Sequence, residues 1–293
     1  MKIGIIGGSG LYEMKELKAV RRRRVKTPFG DPSDVFVCGK LGKYDVVFLP
    51  RHGVGHRILP SEINHKANIC GMKMLGVERV ISVSAVGSLK EEYRPGDIVL
   101  PDQYFDRTKA SLSHTFFGKG IVAHVSFGDP TCLELRKALV RTTRSFISRE
   151  WKNRDVRVIE GGVYVNMEGP AFSTRAESNV YRKLGFDVIG MTGLGEAKLC
   201  REAELCYQSL ALVTDYDCWH QAEEAVSIDK LIAVLNANVV MAKGIIKKLA
   251  DELPDRRSCT CRDSLKNAII TSPELIPQAT KRRMKPIIGK YIS

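Results

Sequence analysis

The sequence predicts an α/β protein: a single domain with a central mixed, mostly parallel β-sheet flanked by helices. Three observations carry this. Short apolar runs bounded by glycine and charge alternate with longer stretches of helical periodicity, from the N-terminus to about Leu253. Parallel strands need crossover connections, and helices of this length supply them. Four strand-like runs end in small or polar residues, GGSG, SVSAVGS, GMTG and TDYD. In open α/β sheets ligands bind outside the carboxyl ends of the strands, so these four endings predict one shared crevice.

The elements run in order along the chain. KIGIIG, DVFVCGKL and YDVVFLPR read as short strands. ILPSEINHKANICGMKMLG has helical spacing, with Ser61 as the expected cap and Glu62 in the first turn. ERVISVSAVGSL is a strand, DIVLPDQYFD is expected as one further strand, and residues 107–124 as a loop. CLELRKALVRTTRSF is helical, GGVYVNMEGP a strand and STRAESNVYRKLG a helix. FDVIGMTGLG is a strand entering the helix EAKLCREAEL, and YQSLALVTDYD a strand ending in two carboxylates. The helix DKLIAVLNANVVMAKGIIKKLADEL closes a domain of residues 1–253. Residues 254–293, polar, basic and cysteine-bearing, form a C-terminal arm.

Composition narrows the function classes. Hydrophobic residues make up 44% and charged residues 27%, the balance of a soluble globular protein. No apolar stretch approaches the roughly 18 residues of a membrane span, and the opening strand leaves no room for a signal peptide. The expectation is a cytoplasmic protein with no membrane partner. A net charge of +13 invites a nucleic-acid reading. Its dense runs, Arg21–Arg24 and Lys281–Lys285, lack interleaved aromatics, so they read as solvated surface charge and no nucleic-acid partner is expected. Eight cysteines include Cys259 and Cys261. No CxxC pair recurs at zinc spacing, so no metal is expected; the cysteines are read as separate thiols, with some disulfide bonding left open.

The glycine loop after the first strand fails both nucleotide fingerprints. Gly8-Ser9-Gly10 is followed by no third glycine in register and by no lysine. What remains is a small anion nest of backbone N–H groups with the Ser9 hydroxyl. Arg51 and His52 end another strand, with His56 close by. An arginine fork matches two oxygens of a phosphate, and a histidine can donate a further bond. Ser84, Ala85 and Thr192 bring hydroxyls and close backbone approach to two more strand ends. Together these residues suit one tetrahedral oxyanion. Asp215 and Asp217, two apart after a buried strand, share a face and are poorly solvated, which favours a raised pKa. Such a couple can accept from an exocyclic amine and exchange a proton with a ring nitrogen. Phe172, ahead of a helix, can lie against a flat base.

GIIGGSGL, PRHGVGH, SVSAVGSL, QYFDRT, EGPAFSTRAES, GMT and VTDYDCW with EEAVS occur in that order between residues 2 and 229. With this set the chain resembles the 5′-methylthioadenosine phosphorylases, within the trimeric purine nucleoside phosphorylase family. The resemblance implies a purine nucleoside phosphorylase-like fold, phosphorolysis of a nucleoside, no cofactor, and inorganic phosphate as co-substrate. It assigns phosphate to Ser9, Arg51, His52, Ser84, Ala85 and Thr192. Met191 would lie under the ribose and Phe172 against the purine. His56 and His124 would stand around the ribose and its 5′ substituent, and Ser173 and Ile228 at specificity positions. Asp215 would protonate N7 and Asp217 read the 6-amino group. It further implies a homotrimer, or a dimer of trimers, in which a neighbour helps to close the 5′ pocket. Gly190 and Val86 depart from the pattern, standing where many relatives have a polar residue and a cysteine. The Cys259-Thr260-Cys261 tail is similar to that of thermophilic members, which implies disulfide bonding. A 6-oxopurine phosphorylase is the nearest alternative. A water-using nucleosidase has little use for Arg51 and His52, and a nicotinamide dehydrogenase lacks its third glycine.

Overall fold

The computed structural model describes residues 1–8, 10, 11, 13–109, 111–220 and 228–292, with the side chains of 111, 112 and 228–232 outside that description. The strands are β1 (Lys2–Gly7), β2 (Lys18–Arg23), β3 (Phe36–Leu41), β4 (Tyr44–Pro50), β5 (Val77–Ser88), β6 (Ile98–Leu100), β7 (Gln103–Arg107), β8 (Val158–Glu160), β9 (Val163–Met167), β10 (Val188–Gly190) and β11 (Cys206–Tyr216). The helices are α1 (His65–Met74), α2 (Leu133–Glu150), α3 (Arg175–Lys183), α4 (Gly193–Glu202), α5 (Ile228–Glu252) and α6 (Gln278–Ile288).

All these strands join one mixed, mostly parallel sheet. β1 lies parallel between β4 and β5, and β5 runs parallel to β11 along its other edge. β10 crosses antiparallel onto the far end of β5, so Ile189 sits opposite Gly87. Side chains alternate across the sheet with period two, which divides the core between its faces. Ile3, Ile5, Val46 and Phe48 pack with α2 and α5, while Ile6, Val47 and Leu49 pack with α1, α4 and α6. The result is helix, sheet, helix. Every fully buried aliphatic or aromatic chain in these layers contributes about 1.5–3 kcal/mol.

Several elements differ from the sequence expectation. The cap of α1 is Asn64, whose side chain accepts from Ala67 N at 3.0 Å; Ser61 lies in a separate 3-10 turn, Pro60–Glu62. DIVLPDQYFD is two strands, because Pro101 cannot continue a ladder: β6 goes to β11 and β8, β7 to β9. The Arg21–Arg24 run is exposed as expected, yet most of it forms β2, an edge strand paired with β3. Its charges guard an open edge. In the 254–293 segment, Leu265, Ile276, Met284, Ile287 and Ile288 share the apolar cluster of α1 and α4.

Candidate functional site

β1, β4, β5, β10 and β11 all deliver residues to one cavity of about 620 Å³, within the range that holds a nucleoside-sized ligand. Gly8, Arg51, His52, Ser84, Ala85 and Thr192 line it, and so do Phe172, Met191, Asp215, Asp217 and His56. Arg51 and the aspartates therefore open onto the same space. Ser9 lies outside the described residues, as do the side chain of Ile228 and the residues 223–227.

Arg51 stands in a buried ion pair. Arg51 is 3% exposed and Glu196 1%. Arg51 Nε donates to Glu196 Oε1 at 2.8 Å, and its two terminal nitrogens donate to Val83 O at 2.8 Å and Ser82 Oγ at 2.6 Å. Tyr207 Oη shares its one hydrogen between Gly193 O at 3.0 Å and Glu196 Oε2 at 3.3 Å. Most of the guanidinium fork is thus engaged by the protein, with Nε and one terminal nitrogen on Glu196, so the fork expected for two phosphate oxygens is already largely occupied. Sequence reasoning missed Glu196. Its only local signal is position: a carboxylate between Leu194 and Ala197 on the buried face of α4.

Thr192 caps α4 without bonding its hydroxyl to the helix, leaving it for a ligand at the positive end of the helix. Asn166 fixes this turn, accepting from Leu194 N at 2.9 Å and donating to Met191 O at 3.2 Å. Ser84 Oγ is buried with no hydrogen-bond partner among the described residues. A buried hydroxyl without a partner is costly, and a bound oxyanion would satisfy it. Gly190 has a steric cause: a Cβ there would overlap the Tyr164 hydroxyl.

His52 departs from its expected donor role. Its Nδ1 bonds Ile58 O at 2.9 Å, and a carbonyl can only accept, so Nδ1 carries the proton. Burial lowers its pKa to about 4 despite that bond, with Arg51 and His56 adding to the fall. The neutral ring therefore presents Nε2 as an acceptor, suited to a hydroxyl of phosphate or sugar. His56 stacks on it, with ring centroids 4.2 Å apart.

A register shift between Val213 and Asp215 interrupts the pairing of β11 with β5 near the strand's end, and Asp217 comes directly after the strand. Gly87 lies between the carboxylates: a Cβ there would stand 3.2 Å from Asp215 Oδ1 and 3.5 Å from Asp217 Cβ. Thr214 Oγ1 donates to Asp215 Oδ2 at 2.6 Å. Asp217 is 8% exposed, and its Oδ2 is buried with no partner among the described residues. Burial raises its pKa, and the nearby Ser178 hydroxyl and Cys218 N–H oppose that rise. Asp217 N and Trp219 Nε1 both donate to Ser88 O, at 3.0 and 2.8 Å, which ties the loop to β5.

Two assigned residues stand elsewhere. His124 does not line the cavity of its own chain, because its backbone pairs with the arm, His124 N donating to Ala268 O at 2.9 Å. Ser173 sits behind the wall, its Oγ 3.8 Å from Met167 Sδ. Phe172 reaches the cavity from the rim and is 80% exposed. The structure does not show the disulfide implied by the tail: the eight cysteines stand unbonded among the described residues.

The chain is similar to known proteins along almost its whole length. The profile of the phosphorylase superfamily matches residues 2–251. The S-methyl-5′-thioadenosine phosphorylase of Koribacter versatilis is 56% identical, over 99% of this chain and 96% of its own length. A crystal structure of a methylthioadenosine phosphorylase from an antarctic soil metagenomic library superposes with a TM-score of 0.91 at 46% identity, covering 97% of this chain and 98% of the other. A Schistosoma mansoni adenosine/methylthioadenosine phosphorylase variant, solved with methylthioadenosine, gives 0.81 at 35% identity over 91% and 96%. The chain belongs to the phosphorylase superfamily, and within it to the S-methyl-5′-thioadenosine phosphorylases.

Proposed function

We propose that this chain catalyses phosphorolysis of the N-glycosidic bond of 5′-methylthioadenosine, giving adenine and 5-methylthioribose 1-phosphate, in purine and methionine salvage. One observation carries the reading: a single cavity joins oxyanion donors carried by β4, β5 and β10 to two carboxylates at the end of β11, the half-buried Asp215 and the buried Asp217. Breaking the bond develops positive charge on the sugar and negative charge on the purine. Phosphate held by Ser84, Ala85, Thr192 and the Arg51 charge, with Ser9 assigned to the same role, stabilises the sugar cation and attacks C1′. Fixed donors of this kind need no reorganisation as charge develops. Asp215 gives a proton to N7, general acid catalysis contributing about 10²–10⁴-fold. Asp217 accepts from the 6-amino group through its unpaired Oδ2. Met191 carries the ribose and Phe172 covers the base, with His56 toward the 5′ side and Ser173 and Ile228 as specificity positions. No cofactor takes part; phosphate is the co-substrate.

Within this reading the unpaired acceptor on Asp217 favours a 6-amino over a 6-oxo purine, since a carboxylate repels a carbonyl oxygen. The exposed Phe172 ring at the rim is a surface that a second copy would cover, in keeping with a homotrimer. No described helix is long and apolar enough to cross a membrane, and we place the enzyme in the cytoplasm. The test is purine release from methylthioadenosine, adenosine, inosine and methylthioinosine, each with and without inorganic phosphate. Phosphate-dependent release of adenine from methylthioadenosine is expected. Release at equal rates without phosphate would instead establish a nucleosidase.

A further inference from the structure

Away from the cavity, four of the eight cysteines converge. The sulfurs of Cys132, Cys206, Cys259 and Cys261 all lie within 4.8 Å of one another, and Cys206 and Cys259 are 3.3 Å apart. They come from three places: the cap of α2, the first residue of β11, and the arm just past α5. Cys132, Cys206 and Cys261 are buried and Cys259 partly so. We propose that these thiols form a structural metal site of the Cys₄ type that takes one soft divalent ion, zinc being the best match.

Four thiolates at about 2.3 Å from a tetrahedral zinc stand about 3.8 Å from each other, so small side-chain movements close the shell. The four sulfurs surround one point closely enough for a single ion to reach all of them. The surroundings are those of a second coordination layer. Arg257 directs a guanidinium nitrogen at Cys206 Sγ, 4.0 Å away, while donating to Glu204 O at 3.0 Å. Such N–H groups temper the negative charge on ligating sulfur. Glu134 Oε2 accepts from Ser258 N at 2.7 Å and Cys259 N at 3.1 Å, and its other oxygen pairs with the buried Arg79 at 2.8 Å. The turn that presents Cys259 and Cys261 is therefore held in place without the ion. Chemically, Zn²⁺ and four thiols give a tetrathiolate centre of charge −2 and release four protons. The ion would clamp the arm to the sheet and to α2, coupling metal affinity to folding.

The experiment starts with full-length protein purified in reducing buffer without chelator. Elemental analysis should find about one zinc per chain, and denaturation with chelator should then titrate all eight thiols. Replacement by cobalt should give the thiolate charge-transfer and tetrahedral d–d bands. The C259S/C261S double variant should lose the ion and melt several degrees lower. Protein without stoichiometric metal overturns the proposal, whether its thiols are free or a deficit in the titration reveals disulfides. Zinc retained by the double variant overturns the assignment of these ligands. Because wild-type metal content and the cobalt spectrum need no variant, a misfolded variant does not rescue the idea.

Discussion

Replacing Asp217 by Asn is the sharpest probe of how the base is read. The side chain is buried, Oδ2 lacks a partner among the described residues, and the backbone bond to Ser88 O is untouched by the change. The amide is nearly isosteric, so the fold should hold. A hydrogen bond to a charged acceptor is worth about 1.5–3 kcal/mol, so its loss lowers kcat/KM for a 6-amino substrate about 10–150-fold. The new amide N–H can donate to a 6-carbonyl, adding about 0.5–1.5 kcal/mol, or roughly 2–13-fold, for an oxopurine. The ratio of kcat/KM for methylthioadenosine over methylthioinosine should therefore shift by about 20- to 2000-fold. The assay is initial rates on both nucleosides at saturating phosphate, with melting temperature as the control for folding. A ratio within about threefold of wild type at unchanged melting temperature would refute the contact between Asp217 and the 6-position, since even the weakest expected shift exceeds it.

The remaining predictions concern the acid, the ion pair and pH. Asp215→Asn should lower turnover about 10²–10⁴-fold with KM for phosphate unchanged, read by steady-state kinetics; normal turnover would remove it from the acid role. Arg51→Ala and Glu196→Ala should each cost about 3–5 kcal/mol by stranding the other buried charge, and the double variant much less than their sum, measured by denaturant unfolding. Strict additivity would show that the two do not act as a unit. His65 is fully buried, and desolvation lowers its pKa to about 3 from 6.5. A folded pKa below the unfolded one means stability is full above pH 6.5 and lost as pH falls toward 3. Its share of the slope approaches about 1.4 kcal/mol per pH unit. Unfolding midpoints at pH 7 and 5 should converge in His65→Leu relative to wild type; an identical pH dependence would disprove it.

How much was legible in the sequence depended on whether a residue's role was local. The strand ends could be read because a buried strand is a run of apolar residues, and the next residues along stand at the carboxyl edge whatever the distant chain does. Arg51, His52, Ser84, Thr192, Asp215 and Asp217 were all found this way, and all line one cavity. DIVLPDQYFD was misread because its two halves join different neighbours, a matter of topology that a continuous apolar pattern does not encode. The donor role of His52 was misread because its tautomer depends on the carbonyl of Ile58, set by the course of a loop.

The illegible residues share a property: they act on the chain itself across long separations. Glu196 is 145 residues from the arginine it holds. No pattern at helical or strand spacing reports such a pair, and Glu196 reads as an ordinary charge within an amphipathic helix. The cysteines repeat the case. Searching for zinc spacing compares neighbours in sequence, but Cys132, Cys206 and the Cys259–Cys261 turn become neighbours only when α2, β11 and the arm meet. A residue that addresses a ligand is constrained by the strand end that carries it, which a sequence displays. One that addresses another segment is constrained by the tertiary contact, which it does not. Buried charge is therefore where a structure adds most to a reading made from residues alone, because it is unstable without a partner and the fold identifies that partner; thiols that meet only in the fold are the second such place.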